Sequence, residues 1–328
     1  MSAIISAAVA VIAVVAGCAG SGSPTGTGHA APHSAHAART ANHRVCAASS
    51  APGTTELRPS IDGRTRVVRV HTPPHPHATR MPLVLNLHGS GSTAIGQEAF
   101  SGMDATADAD GFVVAYPQAA IPDGRGDDWN VPGALLVGGR KVPAGATNDV
   151  RFVTSLVSYL ERSYCIDAAR VYATGFSGGA RLASQLVCNT SAVFAAIAPV
   201  SGLRYPTPCA TPMAVPVLSF HGTADPVDPY NGHGQPYWTY SVADAARAWA
   251  RHDGCGPGRA VAHGGLAYGS CRAGAQVVLY TIPGEGHEWP GGPRMARRLV
   301  AALGPQSNLI DADTTMWAFF SHYSLGRS

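Results

Sequence analysis

Apolar residues recur along the chain at two spacings. Arg64 to His71 alternates polar and branched side chains, while Pro82 to His88 is a nearly continuous apolar run that ends in His-Gly. Phe112 to Tyr116 is a shorter run closed by Pro117. These segments predict strands, the unbroken runs being buried on both faces. Arg170 to Thr174, Phe194 to Val200, Val215 to Phe220 and Gln276 to Ile282 repeat the signal. Between them the period changes. Val150, Val153, Leu156, Val157 and Leu160 follow helical spacing after a cap at Asn148 or Asp149. Gly178 to Val187, Ser241 to His252 and Ala312 to Tyr323 predict further helices. Strands alternating with helices imply right-handed crossovers and a mainly parallel sheet covered by helices on both faces. One α/β domain over residues 46–328 is expected, with any ligand at the carboxyl ends of its strands.

The first segment reads differently. Ala3 to Val15 is almost wholly apolar, shorter than the roughly 20 residues of a membrane-spanning helix and suited to the apolar part of an export signal. No Lys or Arg precedes it, a departure from the usual positive start. It ends in Val15-Ala16-Gly17-Cys18, which resembles a bacterial lipobox. Residues 1–18 are therefore read as a lipoprotein-type signal and Cys18 as the lipid-bearing residue. From Ala19 to about Arg44 there is no large apolar residue, so residues 19–45 predict a flexible tether. His29, His33, His36 and His43 lie there without Cys or Asp neighbours, and no metal site is expected. The expected location is extracellular or at the cell surface, with membrane contact only through the lipid.

Export gives the remaining cysteines a meaning. Cys46, Cys165, Cys188, Cys209, Cys255 and Cys271 form an even set, as a disulfide framework requires. Sequence proximity suggests Cys255 with Cys271 and Cys188 with Cys209, leaving Cys46 for Cys165. No C-x-x-C occurs, which removes zinc and thioredoxin-like readings. With 45% apolar and 13% charged residues the chain as a whole is not disordered. A net charge of +3 is too small to mark nucleic acid as a partner.

Gly175-Phe176-Ser177-Gly178-Gly179 sits between a predicted strand and a predicted helix. There a serine is squeezed onto a tight turn and its hydroxyl is presented above the sheet. Ser177 is the candidate nucleophile. It needs a histidine to take its proton and a carboxylate to hold that histidine, each in a loop after a strand and in the order Ser, acid, His. Asp225 follows the strand ending at Phe220, and Asp228 is the runner-up in the same loop. His287 follows the strand ending at Ile282 and is the candidate base. His221 is assigned to support of the acid loop. The glycine-rich segment Leu87-His88-Gly89-Ser90-Gly91-Ser92 suits close approach of backbone N–H groups to a reacting carbonyl. The amides of Gly178 and Ser90 are the candidate oxyanion donors, with His88 supporting that loop. No cofactor is called for.

Five motifs in order carry a family resemblance: Leu87-His88-Gly89, Asp149-Val150-x-Phe152, Arg170 through Gly175-x-Ser177-x-Gly179, His221-Gly222-Thr223-x-Asp225, and Gly286-His287-x-Trp289-Pro290-Gly291. Together they resemble the secreted polyhydroxybutyrate depolymerase and feruloyl esterase group, related to carbohydrate esterase family one. The resemblance implies an α/β-hydrolase fold and hydrolysis of a carboxylic ester, either feruloyl or acetyl groups on polysaccharide or a hydroxyalkanoate oligomer. Polymer depolymerases commonly carry a separate binding domain, for which no length is expected after the last helix, so a soluble or oligomeric ester is favoured. Trp129, Trp289 and Tyr230 stand near the motifs; they either stack on an aromatic acyl group or pin their loops to the core. Two other functions remain open at this point: acyl transfer by the same triad, and a non-catalytic member that binds cell wall or carbohydrate.

Overall fold

The computed structural model describes residues 51–74, 80–190 and 192–326. Cys18, Cys46 and the segments expected to be signal and tether lie outside the described residues. Ten strands form one sheet: β1 (Gly53–Leu57), β2 (Val68–Thr72), β3 (Met81–Leu87), β4 (Val113–Pro117), β5 (Ile166–Phe176), β6 (Ala196–Val200), β7 (Val217–Gly222), β8 (Gly258–Val261), β9 (Gly265–Tyr268) and β10 (Val277–Ile282). Their spatial order is β1-β2-β4-β3-β5-β6-β7-β10-β9-β8. The interior pairs from β4 through β3, β5, β6 and β7 to β10 are parallel, as the apolar runs predict. The outer pairs are antiparallel.

Among the described residues seven helices flank it: α1 (Ala94–Ser101), α2 (Asp104–Asp110), α3 (Asp149–Ser163), α4 (Gly178–Asn189), α5 (Val242–His252), α6 (Arg297–Leu303) and α7 (Ala312–Phe320). On one face α3, α4 and α5 bury Phe152, Leu156, Leu182, Leu186 and Trp249 against the sheet. On the other, α1, α2 and α7 bury Ala94, Ala107, Met316 and Phe320. Of the two expected caps of α3 it is Asn148 that accepts the Arg151 N–H, at 2.9 Å, and Ser241 caps α5 by accepting that of Asp244 at 3.0 Å.

The expected strand from Arg64 is divided. Ser60–Ile61 and Arg64–Thr65 form a separate hairpin, because Asp62 and Gly63 both take positive φ, 51° and 73°, the conformation of a two-residue turn. The sheet strand begins only at Val68. β1, β8 and β9 have no unbroken apolar run because they lie at the sheet's edges, and β8 is exposed throughout. Cys188–Cys209 ties the end of α4 to the segment before β7, and Cys255–Cys271 brackets the β8–β9 hairpin. Cys165 is disulfide-bonded as well.

Candidate active site

β5 ends at Phe176 and α4 starts at Gly178, leaving Ser177 alone on the corner. Its φ of 52° and ψ of −113° put a side chain in a region that costs about 1–3 kcal/mol. The corner is held by Ser177 N–H donating to Val200 O and by the Ser177 carbonyl accepting from Arg181 N–H, both at 3.0 Å. The flanking glycines of the motif have a steric cause. A Cβ on Gly179 would lie 2.2 Å from the Leu87 carbonyl oxygen, and one on Gly175 would lie 2.7 Å from the same atom. Ser177 is thereby aimed above the carboxyl end of the sheet.

The loops after β7 and β10 bring the other two residues together. Asp225 Oδ1 accepts the N–H groups of Val227 and Asp228, each at 2.8 Å. Its Oδ2 lies 2.7 Å from His287 Nδ1 and 3.2 Å from His221 Nε2. His221 Nε2 also reaches the Asp228 carbonyl at 2.7 Å, so this imidazole braces the acid loop. Burial favours a neutral Asp225, but the bonds from His221 and His287 outweigh it and hold the carboxyl well below its ordinary range. Burial likewise pulls His287 down, while the hydrogen bond and charge of Asp225, with the charge of Asp228, bring it above its ordinary value. A carboxylate on Nδ1 keeps the proton there and leaves Nε2 as the acceptor. His287 and Ser177 line one cavity, and the Phe176 ring lies 4.7 Å from the imidazole. Asp228 is different. It is fully buried, and neither carboxylate oxygen has a hydrogen-bond partner among the described residues. Burial raises it.

The oxyanion candidates meet at the same corner. A Cβ on Gly178 would lie 2.5 Å from Ser90 Oγ and 3.2 Å from Ser90 N, so the two residues close on one small space. His88 supports the Ser90 loop from beneath. Its Nε2 accepts from Ala119 N–H at 3.0 Å, so its Nδ1 donates to Gly89 O at 2.8 Å. Burial pushes it down to about 4, which keeps it neutral.

Trp129 belongs to this support and not to the cavity. Its indole N–H donates to His88 O at 2.8 Å and it is 2% exposed. Trp289 is 1% exposed and donates to Asp313 Oδ1 at 2.9 Å. Tyr230 shares a 2.8 Å bond with Thr281 Oγ1. None of the three lines the cavity at Ser177. They pin loops to the core, because each polar atom finds its partner inside the protein.

The cavity, of about 540 Å³, is walled instead by Phe100, Phe176, Val137, Met295, Leu299 and Leu303. Sequence reading missed all six as site residues. The available signal was Met295, Leu299 and Leu303, an i, i+4, i+8 apolar stripe in an otherwise Arg- and Ala-rich segment. Two acids flank His287. Glu285 is 1% exposed with both oxygens unpartnered among the described residues, and burial beside Glu288 and Asp225 pushes it up to about 9. Burial raises Glu288 to about 7, although it accepts from Ser307 N–H at 2.6 Å. Among the described residues no group of three His, Cys, Asp or Glu is placed to hold a metal ion, and no helix is long and apolar enough to cross a membrane.

Comparison with known proteins gives this geometry a family. The model of the family described as "Esterase PHB depolymerase" matches residues 67–232, half of the chain. A protein of Nocardia uniformis subsp. tsuyamanensis named "Putative esterase NocK" is 33% identical over 294 residues, covering 80% of this chain and 81% of its own. Feruloyl esterase B of Piromyces equi is 30% identical over 224 residues, 63% of this chain, and the chain spans only 39% of that relative's length. The acetyl xylan esterase from Aspergillus awamori superposes with a TM-score of 0.51 at 17% identity, over 72% of this chain and 94% of its own, a likeness of fold. The chain belongs to the PHB depolymerase esterase family and is a carboxylic ester hydrolase of the α/β-hydrolase fold.

Proposed function

We propose that the protein is an exported serine esterase that works through an acyl-enzyme on Ser177. The observation that carries this reading is the 2.7 Å bond from His287 to Asp225, made at the cavity that Ser177 also lines. In the forward step Ser177 Oγ attacks the ester carbonyl while His287 Nε2 takes its proton. The oxyanion forms between the amides of Gly178 and Ser90, and His287 returns the proton to the departing alcohol. Water then repeats the sequence and releases the acid. Asp225 keeps the imidazole in the tautomer that both steps require.

The apolar walls favour an acyl group larger than acetyl. Relatives named feruloyl esterase and poly(3-hydroxyalkanoate) depolymerase support an aromatic or hydroxyalkanoyl ester. The apolar leader, the lipobox-like Cys18 and the disulfides support export and surface attachment. The test is hydrolysis of a p-nitrophenyl butyrate by the oxidised protein, with mass spectrometry of the protein after a fluorophosphonate probe. Turnover together with a single adduct on Ser177, both lost in Ser177→Ala, is the expected result. Turnover that survives the substitution would remove the acyl-enzyme.

A further inference from the structure

Beyond the nucleophile's cavity, the protein holds a second, adjoining one of about 770 Å³, and the two share Arg294 and Met295. The wall between them is the segment from Gly292 through α6. Its two sides differ in chemistry. Leu299 and Leu303 line only the nucleophile's cavity, whereas Arg297 and Val300 line only the second; Met295 is shared. Arg294 reaches both. The segment is held in place by Gln306, whose Oε1 accepts Met295 N–H at 3.0 Å and whose Nε2 donates to Gly292 O and Pro293 O at 3.1 Å each.

The charge there is unbalanced. Arg294, Arg297 and Arg298 are exposed, and among the described residues none of them makes an ion pair, whereas Arg66, Arg69, Arg140 and Arg170 do. The acid of the second cavity, Asp311, caps α7 by accepting Thr314 N–H at 2.9 Å and Thr314 Oγ at 3.0 Å. Two arginines thus line this cavity with one carboxylate that is already engaged. A guanidinium is the side chain best shaped for a carboxylate.

We propose that the second cavity is the leaving-group subsite of the esterase and that it selects alcohols bearing a carboxylate, which Arg294 and Arg297 receive. The acyl group lies against the apolar side of the wall, and the alcohol passes Arg294 to its basic side. This rests on the serine esterase reading above. A preference of about fivefold to tenfold is expected for two partly solvated charge contacts, and it should shrink as salt screens them.

The experiment compares two matched pairs of esters. In the first, the butyrate ester of 4-hydroxybenzoate is set against that of methyl 4-hydroxybenzoate. In the second, with the charge on the acyl side, 4-nitrophenyl hydrogen adipate is set against 4-nitrophenyl hexanoate. Each kcat/KM ratio is divided by the same ratio for hydroxide hydrolysis, which removes differences in leaving-group reactivity. The proposal expects a normalised ratio of about five to ten for the first pair only. That ratio should fall toward one in Arg294→Gln/Arg297→Gln and in wild type at about 0.5 M salt. Near-UV circular dichroism checks the double variant's fold, and the wild-type salt series stands independently of it. A first-pair ratio near one, a preference confined to the adipate, or a preference unchanged in both the variant and high salt would overturn the proposal. Failure of wild type to hydrolyse any of the four esters would instead count against the esterase reading itself.

Discussion

Replacing Asp225 by Asn tests the proposed catalytic geometry at the bond that carries it. The carboxylate accepts two backbone N–H groups on Oδ1 and faces two imidazole nitrogens on Oδ2. An Asn oxygen can keep the backbone bonds, which turns its NH₂ toward His287 Nδ1. That nitrogen must then accept, so the ring proton moves to Nε2 and the base for Ser177 is lost. Holding an imidazole in the wrong tautomer costs about 10⁴-fold in kcat, or about 5.5 kcal/mol. The pH profile should move as well. Asp225 raises His287 against the pull of burial, so wild-type kcat/KM should rise with a midpoint above 6.5, and the residual activity of Asp225→Asn should rise at lower pH. Asp228→Asn is the matched comparison, because neither oxygen of that carboxylate has a partner among the described residues; its loss should stay within about tenfold. The assay is p-nitrophenyl butyrate turnover from pH 5 to 9, with fold checked by circular dichroism. Equal losses in the two variants, or an Asp225→Asn enzyme within tenfold of wild type, would refute the assignment of the acid.

Glu285 is held protonated by its surroundings up to about 9, whereas an unfolded chain releases that proton near 4.5. Its contribution to stability therefore worsens as pH rises between those values, and Glu285→Gln should be more stable than wild type at pH 7 by about 3 kcal/mol relative to their difference at pH 4. Urea unfolding at both pH values measures this, and a pH-independent difference would show that Glu285 is not buried as a neutral acid. Gly178→Ala places a Cβ 2.5 Å from Ser90 Oγ. Displacing that loop should lower kcat by about 10²–10³ with KM little changed; a variant of full activity would remove Ser90 from the oxyanion site. Opening Cys188–Cys209, which closes a sequence separation of 21 residues, by substituting Ser at both positions should cost about 3 kcal/mol in chemical denaturation.

Much of the site was legible because its parts are local signals repeated in a known order. Ser177 announces itself by glycines that leave room for the Leu87 carbonyl, and Asp225 and His287 stand in loops directly after buried apolar strands. The interior strands were legible for a related reason: burial on both faces demands an unbroken apolar run. Edge strands β1 and β8 carry no such demand. The short helices α1 and α2 are too brief, and too rich in Ala, Gly and charge, to hold a clear period.

What the linear chain determined, then, was the parallel core, the order of the candidate serine, acid and histidine, and two cysteine pairs that close short loops. Tertiary structure alone decided which of two aspartates three residues apart meets the imidazole, since both stand in the same loop and only packing orients them. It also turned Trp129, Trp289 and Tyr230 inward. An aromatic with a polar tip lines a cavity or joins the core according to where an acceptor lies, and His88 O, Asp313 and Thr281 come near only when distant segments fold together. Phe100 of α1 and Leu299 and Leu303 of α6 reach the cavity at Ser177 for the same reason: proximity across the fold does not follow spacing along the chain.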